Sequence, residues 1–196
     1  YKHEIQTMLW EIIMNPKFVT LKLGIKNNKV DGLLIKLPPN SSTSMISTKN
    51  KFAAAPVILS KQHIKAGRAL FIFINSGNAN ACTGTKGLEN CDKILRLLSE
   101  KLECNKEDIL IMSTGIIGRQ LPMHRITKSI NNCDFNKYVS IKSAATAIMT
   151  TDKFPKYLTK TYNINNKRVI FKEIFKGAGI FEPNMATMLS FIQTNV

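Results

Sequence analysis

Small hydroxyl and amide side chains gather at three places in this 196-residue chain. They are Asn75-Ser76-Gly77-Asn78-Ala79-Asn80-Ala81-Cys82-Thr83-Gly84, Ser113-Thr114-Gly115-Ile116-Ile117-Gly118, and Thr150-Thr151-Asp152. The first two follow directly on apolar runs and carry glycines. Glycine has no Cβ and admits positive φ, so such a segment can bring backbone N–H groups close to a ligand. A fourth stretch, Lys176-Gly177-Ala178-Gly179-Ile180, opens on a lysine at a strand end. Taken singly, each polar cluster also reads as ordinary turn chemistry, and Lys176 as a solvated lysine. Metal chemistry has little support: Cys82, Cys91, Cys104 and Cys133 form no CxxC pair, and His3, His63 and His124 lie far apart.

The segments between these clusters are the elements that must position them. Phe18–Ile25 and Val30–Leu37 read as two strands joined by a turn at Asn27-Asn28-Lys29, closed by a loop from Pro38 to Ser42. Met45–Thr48 suggests a further short strand. Ala53–Ser60 opens a helix or turn, with Pro56 tolerable in a first helical turn. The continuous apolar run Ala69–Ile74 is that of a strand buried on both faces, and it leads into the Asn75 loop. Leu88, Cys91, Leu95, Leu98 and Leu102 fall at helical spacing with charged residues between them. Asp108–Met112 is a second strand feeding the Ser113-Thr114-Gly115 turn. Met123–Ile130 and Tyr138–Met149 read as helices, and Arg168–Phe175 as a last strand running into Lys176. The fold class is therefore α/β, or α+β with mixed sheets, with no repeat or low-complexity linker dividing the chain.

A formal charge of +15 invites a polyanion partner. Composition argues otherwise, because only Arg68, Arg96, Arg119, Arg125 and Arg168 among the 28 basic residues are arginine, and the lysines form no dense stripe. Neither nucleic acid nor a membrane is an expected partner. Tyr1–Phe18 lacks the plan of a signal peptide, and no stretch approaches the roughly 20 apolar residues of a membrane span. The cytoplasm, with free thiols, is the expected compartment, an organelle remaining open if a presequence precedes Tyr1. Both ends read as cut from a longer chain.

Taken together and in order, the four clusters, with Ala147-Ile148-Met149 before Thr150 and Pro183-Asn184-Met185-Ala186-Thr187-Met188-Leu189 after Ile180, carry a resemblance. The sequence resembles the bifunctional ornithine/glutamate N-acetyltransferases of cyclic arginine biosynthesis, from about Gly24 onward. The resemblance implies an incomplete N-terminal-nucleophile-like ornithine acetyltransferase fold. It implies self-cleavage between Ala186 and Thr187, so that residues 1–186 are an α-chain region and 187–196 the start of a β chain led by the nucleophile Thr187. A free N-terminal threonine carries an α-amine of pKa about 7.7–8.0 that can act as base for its own hydroxyl.

The implied reaction takes acetyl from N-acetylornithine onto Thr187 and then to glutamate, with no bound cofactor or metal. Acetyl-CoA stays open as a co-substrate. By the same resemblance Thr114 and Gly115 form the oxyanion hole, and Thr150, Lys176 and Thr187 contact substrate, with Thr151 the fallback for Thr150. Lys153 stands where the family commonly has a third threonine. The implied assembly is an α2β2 heterotetramer. The chain stops at Val196, so further family contacts from a longer β chain lie outside it. Two other readings stay open: a non-catalytic truncated remnant, and an N-terminal-nucleophile amidase or aminopeptidase.

Overall fold

The computed structural model describes residues 15–178 and 188–195. Among them the chain order is β1 (Lys17–Leu21), β2 (Gly32–Lys36), α1 (Ala55–His63), β3 (Phe71–Asn78), α2 (Gly84–Leu102), β4 (Ile109–Ile116), α3 (Met123–Asn131), α4 (Ile141–Ile148), β5 (Lys156–Ile164), β6 (Lys167–Lys176) and β7 (Leu189–Thr194). Strands β1 to β4 form one sheet in that order, and β5 to β7 a second. In the first sheet β1–β2 and β2–β3 are antiparallel while β3–β4 is parallel, with α2 as the crossover. The second sheet is antiparallel throughout. The mixed α/β class read from the sequence is the class observed.

Strand β3 lies between β2 and β4, which explains its continuous apolar run: both of its faces meet core. Phe71 and Phe73 point with Val19, Leu34, Ile109 and Ile111 into a core roofed by Ile94, Leu95 and Leu98 of α2 and by Ile126 and Ile130 of α3. Ile72 and Ile74 point the other way, with Phe18, Leu33, Ile35 and Leu110, against Ala144, Ala145, Ala147 and Ile148 of α4 and Ile174 of β6. Burying one such large apolar side chain is worth about 1.5–3 kcal/mol, so this double-sided core anchors the first sheet. Helix α4 thus separates the two sheets and touches both.

Several boundaries differ from those read in the sequence, each for a physical reason. β1 stops at Leu21 rather than Ile25, because the N–H groups of Leu23, Ile25 and Lys26 donate to the carboxylate of Asp31 instead of to a partner strand. The Met45–Thr48 stretch is not a strand; the nearest pairing is an isolated bridge between Ser42 and Arg68. Helix α1 begins at Ala55 with Pro56 in its first turn. Helix α4 starts at Ile141, where Ser140 accepts from the Ser143 N–H, while Val139 instead bridges to Phe18. The exposed hairpin strand β5 went unread, as did β7.

Candidate active site

Asn75-Ser76-Gly77-Asn78 and Ser113-Thr114-Gly115 are not turns. They are the last residues of β3 and β4, paired in parallel as Asn75 with Ser113, Ser76 with Thr114 and Gly77 with Gly115, before an irregularity at Asn78. Polar side chains can stay in the sheet because they bond to one another or to neighbouring backbone. Ser113 Oγ donates to Asn75 Oδ1 (2.6 Å), Asn75 Nδ2 to the Asn78 carbonyl (2.7 Å), and Ser76 Oγ to the Ala147 carbonyl at the end of α4 (2.6 Å). Asn78 Nδ2 reaches the carbonyls of Arg119 (3.1 Å) and Gln120 (3.3 Å). The Asn75 cluster is therefore scaffolding that ties strand ends to α4 and to the chain after β4.

Gly115 takes φ +136°, and a Cβ there would run into the backbone of Gly77 and Asn78. Only glycine lets the two strand ends come this close. Its neighbour Thr114 is buried, at 7% exposure. The Thr114 hydroxyl accepts a hydrogen bond from Lys176 Nζ at 3.0 Å, and the same ammonium donates to Thr150 Oγ1 at 2.7 Å. Lys176, the last residue of β6, is only 5% exposed, so it is not a solvated strand-end lysine. Three residues remote in sequence, carried by the first sheet, the segment after α4 and the second sheet, thus meet at one cation.

Burial is the main force on that cation. It lowers the Lys176 pKa, with the nearby Lys156 pushing the same way and Asp152 opposing. Asp152 organises the surroundings. Its Oδ1 accepts from Lys156 Nζ (2.6 Å) and from the Gly177 N–H (2.9 Å), and its Oδ2 from the Thr150 N–H (3.2 Å). Lys156 closes the ring by donating to the Gly177 carbonyl (2.7 Å). Burial alone would raise the Asp152 pKa, but these donors outweigh it and hold the carboxyl down at about 2. The turn bearing Thr150 is thereby stapled to the end of β6.

Thr151, adjacent in sequence, is exposed and lines a surface cleft of about 570 Å³ with Lys153, Phe154, Lys156, Gly177 and Ala178. The hydroxyl on Lys176 belongs to Thr150. Ala186 and Thr187 lie outside the described residues. The chain is described again from Met188, and Leu189 is the register partner of Lys176 across the β6–β7 pair. Sequence reading assigned no role to Asp152, Lys156 or Lys26. Asp152 stands two residues after Thr150 in a Thr-Thr-Asp turn, a local signal of side-chain-to-backbone bonding that could have found it.

The chain as a whole is similar to proteins of one family. The model of the ArgJ family matches residues 17–196. The chain is 44% identical over 173 residues to the arginine biosynthesis bifunctional protein ArgJ of Caldanaerobacter subterraneus, covering 88% of this chain and 43% of that protein. It is 43% identical over 173 residues to the mitochondrial ArgJ of Dictyostelium discoideum, covering 87% and 39% respectively. The chain thus spans less than half the length of these curated relatives. Among solved structures it superposes on ArgJ of Bacillus halodurans with TM-score 0.80 at 30% identity, covering 89% of this chain and 93% of the other. It also matches the ornithine acetyltransferase of Mycobacterium tuberculosis, solved with ornithine, with TM-score 0.64 at 27% identity, covering 81% and 83%. With the family model spanning nearly all of its length and the fold shared with two solved members, the chain belongs to the ArgJ family.

Proposed function

We propose that this chain is the nucleophile-bearing part of a self-processing acetyltransferase that moves acetyl from N-acetylornithine to glutamate. The observation that carries the reading is the Lys176 ammonium bridging the hydroxyls of Thr114 and Thr150 at a buried junction of both sheets. Those residues are the ones the family resemblance gives to oxyanion and substrate contacts. β7 supports it further: it starts opposite Lys176, and Met188, the residue after Thr187 in the chain, packs near Gly177.

In this reading residues 1–186 act as the α region, and Thr187 becomes the N-terminus of the β region when the Ala186–Thr187 amide shifts to an ester and water cleaves it. The freed α-amine then takes the proton from Thr187 Oγ as that oxygen attacks the acetyl carbonyl of N-acetylornithine. The tetrahedral oxyanion collapses, the C–N bond breaks, and the departing ornithine amine takes the proton. Glutamate's amine attacks the acetyl ester by the reverse route, giving N-acetylglutamate and restoring Thr187. Thr114 and Gly115 supply the donors to the oxyanion, a contribution worth about 100- to 1000-fold in rate for one donor. An α2β2 assembly is part of the proposal.

The test uses the full-length protein. Intact mass is expected to show a new N-terminus at Thr187 that Thr187→Ala abolishes, and incubation with N-acetylornithine and glutamate is expected to yield N-acetylglutamate. An uncut chain would favour a non-catalytic remnant, and acetate without N-acetylglutamate would favour a hydrolase.

A further inference from the structure

Lys26 lies in the loop between β1 and β2 and has no role in what the family resemblance implies. Its ammonium crosses 123 positions of sequence to donate to the Met149 carbonyl at 3.0 Å. The loop is built to deliver it there. Asp31, fully buried, gathers the N–H groups of Leu23, Ile25 and Lys26 at 2.5, 2.7 and 2.8 Å. The Lys26 stem then passes over Gly77, where a Cβ would stand 2.9 Å from Lys26 Cγ. Gly77 takes φ +100°, so the strand end that lines the junction also makes room for this side chain.

Met149 is the residue that ends α4, and its peptide bond leads into Thr150. Carbonyls in the last turn of a helix have no partner within the helix, and a cation there is favoured. A peptide unit is planar, so its C=O and the following N–H move as one body. In the Met149–Thr150 unit the carbonyl is held by Lys26 and the N–H by the Asp152 carboxylate at 3.2 Å. Opposite charges therefore grip opposite edges of the one plane from which the Thr150 side chain projects toward Lys176.

We propose that Lys26 is a positioning residue for the transfer reaction, fixing the Met149–Thr150 peptide from its carbonyl edge so that the Thr150 hydroxyl meets Lys176 in one orientation. The inference rests on the acetyltransferase reading for its kinetic consequence, and on the two-sided grip alone for its structural one. With Lys26 gone, the plane is held only through the Thr150 N–H, and rotation about it swings the hydroxyl off Lys176. Misplacing a substrate contact by about 1 Å can cost about 100-fold in rate.

The experiment compares full-length wild type with Lys26→Met and Lys26→Arg. Methionine keeps the stem and loses the donor; arginine keeps donor and charge. Lys26→Met is expected to self-cleave fully and to melt within about 3 °C of wild type. Its kcat/KM for N-acetylornithine falls by about 10- to 100-fold, chiefly through KM, and Lys26→Arg recovers at least part of the loss. In protein carrying 13C-labelled threonine methyl groups, the Thr150 signal, assigned by its disappearance in Thr150→Ser, shows one side-chain rotamer in wild type and averaging in Lys26→Met. Wild-type kinetics in Lys26→Met, or a single unaveraged Thr150 rotamer there, overturns the proposal. If wild-type protein transfers no acetyl group, the acetyltransferase reading fails by itself, and the Thr150 methyl signal still decides what Lys26 holds.

Discussion

Asp152 shows at the scale of one residue how the site is kept in shape. A buried carboxylate is unfavourable unless donors surround it, and this one has an ammonium and two backbone N–H groups, which leave its pKa near 2 against an ordinary 3.8. A carboxyl whose folded pKa is depressed stabilises the fold above its unfolded pKa and loses that contribution as pH falls through the folded value. Wild type is therefore expected to lose about 2 kcal/mol relative to Asp152→Asn as pH drops from about 5 to about 2. Urea unfolding of both proteins across that range measures the difference; a gap that does not narrow toward low pH would remove Asp152 as the staple. Thr150, Thr114 and Lys176 became candidates through the family resemblance, since singly the hydroxyls read as turn chemistry and the lysine as solvated. The sequence left Lys26 unassigned, since a surface-looking Gly-Ile-Lys-Asn-Asn segment says nothing of an acceptor at Met149.

Between residues and the fold stand the two parallel strand ends of β3 and β4, whose approach depends on Gly115. Two glycines at positive φ provide a comparison. Gly67, at φ +69°, lies in the left-handed region that alanine enters at modest cost, whereas Gly115, at φ +136°, lies where only glycine is at ease. At Gly67 nothing lies within 4 Å of an added Cβ, whereas at Gly115 it would strike the backbone of Gly77 and Asn78. Backbone cannot swing aside as a side chain can. Gly67→Ala is expected to cost about 1 kcal/mol and Gly115→Ala about 3 kcal/mol or more, with acetyl transfer lost only in the second; chemical denaturation and product assay on the pair decide it. Equal losses in both would mean that neither the wider φ nor the close approach sets Gly115 apart. Elements were legible where burial imposed a pattern. The apolar run of β3 and the helical spacing of α2 are written by the core on either side of them. β5 carries almost no buried residue, so no alternation marks it. Its local signals are β-prone residues such as Tyr157, Thr159, Thr161 and Tyr162 and the Asn165-Asn166 pair, both at positive φ, in the two-residue turn to β6.

For the molecule as a whole the junction is a meeting of two sheets, and helix α4 sets their separation. The helix packs Ala144, Ala145 and Ala147 into one cluster with Phe18, Leu33, Ile72 and Leu110 of the first sheet and Ile174 of the second, all of them buried. Methyl-sized side chains let the sheets approach through the helix, and Thr114, Thr150 and Lys176 can then meet at distances set by hydrogen bonds. Enlarging one alanine should push the sheets apart at the layer that supports the site. Ala145→Leu is expected to cost about 1–3 kcal/mol through overpacking, read as a lower urea midpoint at unchanged slope. An enlargement elsewhere supplies the contrast: Cys91→Met in α2 overpacks the opposite core, which faces the other helices and not the second sheet. If the sheet separation governs the site, Ala145→Leu loses acetyl transfer well beyond Cys91→Met at matched stability, because only the former moves Lys176 relative to Thr114. Similar activity in two equally destabilised proteins would show that each half of the junction adjusts independently of the spacing α4 imposes.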